Sequence, residues 1–294
     1  MPFMKNLLSG FADEAGGSLE TQIRATRELG WDHIEMRNVE VAGFPAGNLH
    51  DISDEAFGRL EKILGDQGVS VHCFGSAIAN GGKDIQKPFE TCLAQTKRAA
   101  ARMPRLGCKF IRIMSYPILP SEDQMIKERF WRLREIQKII ADAGATVVHE
   151  NCGNYGGMSW ANTLRLLENV PGLKLVFDMG NCVSDLDYAK PAPHPRQSAW
   201  EFYCHIREHI AHLHVKDGII DAEGKHVHLY PGEGEGDVKR IVKDLLGSGY
   251  AGAISIEPHM GIAPEFKDAG TPEEGRYRTY VEHGRRLMKL LAEI

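Results

Sequence analysis

Four residues that can bind a metal ion close apolar, β-rich runs in the second half of the chain. The runs TVVHE, LKLVFD, AHLH and ISIE end at Glu150, Asp178, His214 and Glu257, which we call the quartet. Three carboxylates and an imidazole at one place would repel one another and lose hydration unless a cation joined them. Oxygen-rich ligation with one nitrogen suits Mn²⁺, Mg²⁺, Co²⁺ or Zn²⁺. The sequence therefore predicts one divalent metal ion.

Such an ion would support proton transfer next to a carbonyl group. A metal chelated by a carbonyl and an adjacent hydroxyl acidifies the neighbouring C–H and stabilises the enediolate that forms. Glu150 and Glu257 are the candidate catalytic residues for moving that proton. The alternative is that each acid caps a loop or forms an ion pair, which is the usual role of a single strand-terminal acid. The recurrence on four consecutive strands favours the metal site.

A recurring unit of amphipathic segment, glycine and β-rich run must position the quartet. Examples are ELG-WDHIEM, DQG-VSVHCF and RLG-CKFIRI, in which glycine suits the end of a helix and Val or Ile suits a strand. Eight strands are predicted, near 7–11, 33–39, 70–76, 109–115, 146–151, 173–178, 211–216 and 252–257. Strict alternation with helices predicts an α/β fold, a (β/α)₈ TIM barrel that forms a single domain over residues 1–294.

The rival fold is a doubly wound open sheet, but no predicted strand is followed by a Gly-x-Gly-x-x-Gly turn that opens a helix. In a barrel the strand ends and following loops build the active site, so the quartet would meet at one mouth. Capping boxes are predicted at Ser121–Gln124 and Thr271–Glu274. The run GEGEGD at 232–237 is interpreted as a turn and helix cap, not as a phosphate cradle.

Composition excludes several partners. With 35 Lys+Arg against 40 Asp+Glu and a net charge of -5, the chain lacks the basic excess of a nucleic-acid-binding protein. No apolar run approaches the ~20 residues of a membrane span, and the first residues match neither a signal peptide nor a transit peptide. The six cysteines contain no Cys-x-x-Cys pair and suit reduced thiols. We expect a cytoplasmic protein, with a homo-oligomer left open.

The quartet and its surroundings resemble the xylose isomerase-like TIM-barrel superfamily. The resemblance rests on ENCGNYGG, FDMGN, HLHVKDG and SIEPH and extends over essentially the whole chain. It implies that the quartet binds the metal and that Glu150 and Glu257 move protons on opposite faces of a substrate. The implied activity is isomerisation or epimerisation of a sugar, a sugar phosphate or a related polyhydroxy carbonyl compound, and the implied partner is such a small molecule.

Two departures from the family pattern leave the reaction open. Ketose 3-epimerases carry a histidine where this chain has Asn181 and a second glutamate where it has Gly156. A dehydratase of an inosose- or dehydroshikimate-like substrate is therefore an alternative on the same metal site. Less favoured are a non-catalytic sugar-binding barrel and an endonuclease IV-like nuclease, which needs three zinc ions and further histidines. Only His72 and His228 are available for such a cluster.

Five further residues are candidates for substrate binding: Lys216, Asn181, His259, His72 and Arg112. Lys216 points inward two residues after His214, where it would bind a substrate oxygen or form a salt bridge with a loop acid. Arg112 contacts substrate hydroxyls or forms a buried ion pair with Glu35. Asn181 and His259 flank the ligands and would bind substrate or orient carboxylates.

Three aromatic residues have alternative roles. His212 lies one layer deeper than His214 and is predicted to be a hydrogen-bonded structural histidine. Tyr155 and Trp160, in the glycine-rich region after Glu150, either form a lid over the site or pack against the adjoining helices.

Overall fold

The main sheet of the computed structural model, which describes residues 7–80 and 84–294, is a barrel of eight strands. In chain order, β1 to β8 are Leu8–Gly10, His33–Met36, Ser70–Gly75, Phe110–Ile113, Thr146–Glu150, Lys174–Asp178, Ile210–Val215 and Ala253–Ile256. Their order in the sheet is β1-β8-β7-β6-β5-β4-β3-β2, and all these neighbours pair in parallel. A parallel bridge between Phe11 and Glu35 joins the two ends of the sheet. The predicted barrel is confirmed.

Helices alternate with these strands. Within the described residues, α1 to α9 are Leu19–Glu28, Asp54–Gln67, Glu90–Arg102, Ile126–Asp142, Trp160–Asn169, Met179–Ser184, Ala199–Ile206, Val238–Gly247 and Pro272–Glu293. In this part of the chain, no helix combines the length and apolarity needed to cross a membrane.

The two predicted capping boxes have different outcomes. The hydroxyl of Thr271 accepts a hydrogen bond from the Glu274 amide at the start of α9, which confirms that cap. The predicted capping box at Ser121 is wrong, because α4 begins only at Ile126. The side chain of Gln124 instead bonds the backbone of Leu119 and Ser121, so it stabilises the preceding loop.

Apolar side chains pack in two clusters, one on each face of the barrel strands. Ile254, Ile256 and Phe177 belong to the large core between strands and helices, whereas Val148 and Val176 pack with Cys73 in a small cluster. Alternation along a strand sends successive side chains to opposite faces. In the strand register, His214 of β7 pairs with Asp178 of β6 and with Ser255 of β8. These three polar residues therefore lie at the same height in the barrel.

A β-hairpin follows β7 directly, with strands Asp217–Ile220 and His226–Leu229. The Asp217 carboxylate accepts hydrogen bonds from the backbone amides of Gly218, Gly232, Gly234 and Gly236. The glycine-rich run at 232–237 is thus a turn that encloses a carboxylate of its own chain. Asp237 precedes α8 but makes no side-chain cap bond. This anchored turn holds the hairpin beside the barrel mouth.

Candidate metal centre

The structure brings the quartet together at the carboxyl ends of β5 to β8. One ligand atom from each of Glu150, Asp178, His214 and Glu257 lies within 4.8 Å of the others, and all four residues are buried. The Nδ1 atom of His214 is 3.5 Å from Glu257 Oε2 and 3.9 Å from Glu150 Oε1. Four donors on adjacent strands therefore converge on a volume that one ion can fill.

Glu150 is fixed by two groups from other strands and loops. Arg112 Nη1 on β4 donates to Glu150 Oε2 at 2.6 Å. Asn181 Nδ2 donates to Glu150 Oε1 at 3.1 Å and to the Asn151 carbonyl at 2.7 Å. The predicted buried ion pair of Arg112 exists, but its partner is Glu150 and not Glu35. Both Arg112 and Asn181 orient a ligand.

His214 is oriented by Glu35, which lies on β2. Glu35 Oε2 accepts hydrogen bonds from Nε2 of His214 at 3.0 Å and from Nε2 of His212 at 2.7 Å, and all three side chains are fully buried. Burial acts to raise the pKa of Glu35, but the two imidazoles outweigh it and hold that pKa well below its usual range. The predicted role of His212 as a hydrogen-bonded histidine fits this geometry.

The remaining nitrogen of His214 supports a metal at this place. Nδ1 is buried and has no hydrogen-bond partner, while it faces the carboxylates of Glu150 and Glu257. A buried polar atom without a partner is unfavourable unless a ligand completes it. Because Nε2 is engaged by Glu35, Nδ1 is the atom available to an ion, and the donor set of three carboxylates and one nitrogen fits Mg²⁺, Mn²⁺, Co²⁺ or Zn²⁺.

Lys216 already contributes a positive charge at the quartet. Its Nζ lies 2.6 Å from Asp178 Oδ2 and 3.3 Å from Glu257 Oε2. The expected salt bridge therefore exists, but its partners are two predicted ligands and not a loop acid. Burial, with the neighbouring carboxylates, raises the pKa of Asp178 to about 7 despite this ammonium.

Glu257 is surrounded by cations on its other side. Its Oε1 is 3.2 Å from His259 Nε2 and 3.3 Å from Arg37 Nη1. Burial acts to raise the pKa of Glu257, but Lys216 and His259 outweigh this and hold it well below its usual range. An ionised carboxylate can bind a metal or accept a proton. His259 was predicted to flank the ligands. Its Nε2 also lies 3.4 Å from Oε1 of a second acid, Glu14.

Sequence reasoning missed Arg37, Asp13 and Glu14. Arg37 Nε donates to Asp13 Oδ2 at 2.9 Å, and its Nη2 lies 3.4 Å from Glu14 Oε1. These residues follow β1 and β2 directly, as the quartet closes β5 to β8. The same strand-end rule applied to the first two strands would have identified them.

Several predicted residues lie outside this centre. His72 is near the start of β3, where its ring packs against His212 and Phe110, and burial lowers its pKa to about 3. Tyr155 is buried against Phe130, and Trp160 stacks on His205 at 3.7 Å between ring centres. The helix-packed alternative fits both aromatic residues. His228 contacts the ring of His259 at 5.4 Å, beyond Glu257.

Comparison with known proteins identifies relatives of the whole barrel. The family model described as xylose isomerase-like TIM barrel matches residues 23–287. A comparison of the sequence with curated proteins found no match. The fold similarity to solved structures is extensive although the sequences differ widely.

Three solved structures illustrate this similarity. A xylose isomerase-like TIM barrel protein from Mycobacterium smegmatis, in complex with magnesium, has TM-score 0.70 and 17% identity over 98% of this chain and 97% of its own. A D-tagatose 3-epimerase-like protein has TM-score 0.70 and 18% identity over 97% of each chain. A probable 3-DHS dehydratase from Bacillus anthracis has TM-score 0.68 and 16% identity over 97% and 99%. At these identities the similarity establishes the fold.

Proposed function

The chain belongs to the xylose isomerase-like TIM-barrel family, and on that premise we propose that it is a divalent-metal-dependent isomerase or epimerase. Its substrate would be a sugar or a related polyhydroxy carbonyl compound. The observation that carries this proposal is the convergence of one ligand atom from each of Glu150, Asp178, His214 and Glu257 within 4.8 Å of one another. Two similar structures support this proposal. One is a related barrel in complex with magnesium, and the other is a D-tagatose 3-epimerase-like protein.

The quartet would hold the ion, which supplies a Lewis acid that makes the C–H beside the substrate carbonyl more acidic. Glu257, beside Lys216 and His259, would act as the base that removes that proton. Glu150, held by Arg112 and Asn181, would in its protonated form deliver a different proton, taken from solvent, while Glu257 releases its own proton to solvent. Delivery to the opposite face of the same carbon gives epimerisation, and delivery to the neighbouring carbon gives isomerisation.

The direct test is deuterium uptake from D₂O. Purified protein loaded with Mg²⁺ or Mn²⁺ is incubated with ketoses, keto-sugars, inososes and their phosphates, and NMR follows the carbon-bound protons. We expect exchange at one carbon beside the carbonyl without loss of water. Chelation should abolish exchange, and added metal should restore it. Protein that binds no divalent metal after dialysis against each of the four ions would contradict the proposal.

Glu257→Gln should lower the exchange rate at least about 100-fold at saturating metal, because general-base catalysis contributes about 10²–10⁴-fold. The matched control is Glu208→Gln, which removes the same charge from an exposed position. Metal content and circular dichroism of each variant separate proton transfer from ion loss and from unfolding. Exchange at the wild-type rate in metal-loaded Glu257→Gln would remove this residue from proton transfer.

A dehydratase is the second candidate, because His259 lies 3.2 Å from the proposed base. Attraction to Glu257 outweighs the effect of burial and raises the pKa of His259, so it can donate a proton to a departing hydroxyl group. The likeness to a probable 3-DHS dehydratase is consistent with this route. Dehydration releases water and yields an unsaturated product that absorbs in the ultraviolet. Such a product, in place of simple deuterium uptake, would favour the dehydratase.

A further inference from the structure

We propose that the substrate is an uncharged sugar that carries a second uncharged ring, and that this ring lies in a groove beside the metal centre. The groove runs between the 217–229 hairpin and the loop after β8, and we call it the hairpin groove. For the ring that reacts at the metal centre, the inference rests on the proposed function. For the second ring of the substrate, it is argued from the groove itself.

The hairpin groove has a volume of about 870 Å³. Val227 and Leu229 of the hairpin line it on one side, and Met260 and Ile262 of the loop line it on the other. Tyr230 also lines the groove and is buried. Apolar side chains from both elements suit the C–H faces of a ring better than a chain of hydrated charges.

The groove and the metal centre share the residue His259. His259 lines the groove and its Nε2 lies 3.2 Å from Glu257 Oε1. His228 also lines the groove, and its ring meets His259 edge-on at 5.4 Å. A molecule whose reacting carbon lies at Glu257 therefore reaches the groove by passing His259. The backbone of His259 has a φ of 51°, an uncommon conformation for a residue other than glycine and one that is often found at functional sites.

The charges around the groove favour an uncharged occupant. Arg286 is engaged by Glu233 at 2.5 Å and Glu282 at 2.9 Å, and it stacks over Tyr230 at 3.8 Å. The hydroxyl of Tyr230 donates to Glu265 at 2.6 Å. The guanidinium in the groove is therefore neutralised by its neighbours and is not free for a phosphate.

At the metal centre the cations are also paired. Lys216 contacts Asp178, Arg112 contacts Glu150 and Arg37 contacts Asp13. His259, when protonated, is paired with Glu257 and Glu14. The remaining cations of the groove, Lys225 and Lys267, are exposed, so solvent screens their attraction for a phosphate.

The size of the groove argues for a second ring. Sites that enclose drug-sized ligands have volumes of about 300–1,000 Å³, and the hairpin groove lies in the upper part of that range. A single sugar ring held at Glu257 leaves the groove unused. A two-ring sugar fills both, and the contacts of its remote ring can be used to lower the reaction barrier.

The test compares three forms of one ketose with the metal-loaded protein: D-fructose, its 4-O-glucosyl disaccharide and its 6-phosphate. A second set uses 3-keto-D-glucose, its phenyl glycoside and its 6-phosphate. Deuterium uptake gives kcat/KM, and saturation-transfer NMR identifies which ring contacts the protein. We expect a kcat/KM at least tenfold higher for the two-ring sugar of at least one set, and saturation of its second ring.

Met260→Trp narrows the groove and should lower the ratio of kcat/KM for the two-ring sugar over the one-ring sugar at least tenfold. Met260→Leu, which keeps the apolar wall, should preserve the ratio. If Met260→Trp is misfolded by circular dichroism, Val227→Trp narrows the opposite wall. A ratio near one in the wild-type protein, preference for the phosphate, or absence of saturation in the second ring would overturn the inference.

The two proposals fail in different ways. If no sugar exchanges protons but the two-ring sugars bind with saturation of both rings, the proposed function is wrong and the groove assignment remains. If one-ring sugars exchange as fast as two-ring sugars, the proposed function remains and the groove assignment is wrong.

Discussion

At the scale of single residues, the orientation of His214 decides which of its nitrogens meets a metal. Glu35 accepts from Nε2 of both His214 and His212, so it directs Nδ1 of His214 toward the carboxylates. We expect Glu35→Gln to weaken metal binding about 10–100-fold, because partners behind a metal ligand have effects of that size. The neutral amide accepts less strongly and offers an N–H to one of the imidazoles.

The measurement is the Kd for Mn²⁺ by competition with a chelator, together with the visible spectrum of the Co²⁺-loaded protein. His212→Gln is the matched control, since it removes the other partner of Glu35 and leaves the contact with His214. We expect its Kd to stay within about threefold of wild type. Equal weakening by both variants would show that Glu35 acts through general packing and not through His214.

The quartet was predictable from sequence because each member closes an apolar strand and parallel strand ends meet at one mouth. The partners of those residues were not. Arg112 was assigned to Glu35, but a long guanidinium side chain reaches Glu150 on the adjacent strand. A salt bridge of Lys216 with a loop acid was one of two alternatives, but its ammonium contacts Asp178. Alternation specifies the face of a strand, whereas the choice of partner depends on side-chain rotamers.

At the scale of elements, Asp217 and the glycine turn hold the hairpin in place. Four backbone amides donate to its carboxylate, and hydrogen bonds to charged groups are worth about 1.5–3 kcal/mol each. Asp217→Asn keeps one oxygen and introduces an N–H that faces other donors. We expect it to lower the free energy of unfolding by at least about 2 kcal/mol and to increase amide exchange over 217–236.

Glu235→Gln is the control, because it removes a charge of the same sign from an exposed position in the same turn. Urea unfolding and hydrogen exchange by mass spectrometry report both quantities. Gly234→Ala should be at least as destabilising, since a Cβ there would lie 2.3 Å from Asp217 Oδ1. Protection of 217–236 in Asp217→Asn equal to that in Glu235→Gln would contradict the anchoring role.

The elements themselves were largely predictable, because glycines and β-branched runs mark where helices stop and strands begin. The start of α4 was not, since Ser121 and Gln124 match a capping box by type. Gln124 has a φ of 51° and closes a turn on Leu119, a conformation that local sequence does not reveal. The glycines at 232–236 donate hydrogen bonds to Asp217, which lies 15 positions or more earlier in the chain, so the local sequence did not reveal their role.

At the scale of the whole molecule, buried neutral histidines make stability depend on pH. Burial lowers the pKa of His283 in α9 to about 3 and that of His149 in β5 to about 4, from an ordinary value of 6.5. Between pH 6.5 and 4 the unfolded chain binds protons at these sites and the folded chain does not. The free energy of unfolding therefore falls with decreasing pH by about 1.4 kcal/mol per unit for each histidine.

His283→Leu should remove one such contribution, because neither ring nitrogen has a hydrogen-bond partner in the protein. Urea unfolding at pH 6.5, 5.5 and 4.5 gives the slope for variant and wild type. Burial raises the pKa of Asp185 to about 6, which gives a slope of opposite sign in both proteins. The effect of His283 is therefore read from the difference between the variant and wild-type curves of unfolding free energy against pH. Parallel curves would show that His283 is protonated in the folded state.

The barrel was the most predictable feature of the molecule. Eight repeats of helix, glycine and strand have few ways to bury their apolar faces, and closure into a barrel satisfies all of them. The hairpin after β7 lacked any such periodic signal, although it forms one wall of the hairpin groove. Repetition therefore predicted the scaffold, whereas the hairpin was visible only in the structure.

The ammonium of Lys216 has a consequence for the order of events when the protein is made. It balances part of the charge of Asp178 and Glu257 from within the chain. A newly synthesised barrel can therefore close before it meets any ion, unlike small zinc domains whose folding waits for the metal. On the proposed metal site, metallation would follow folding, so the supply of metal would control how much protein is metal-loaded and not how much is folded.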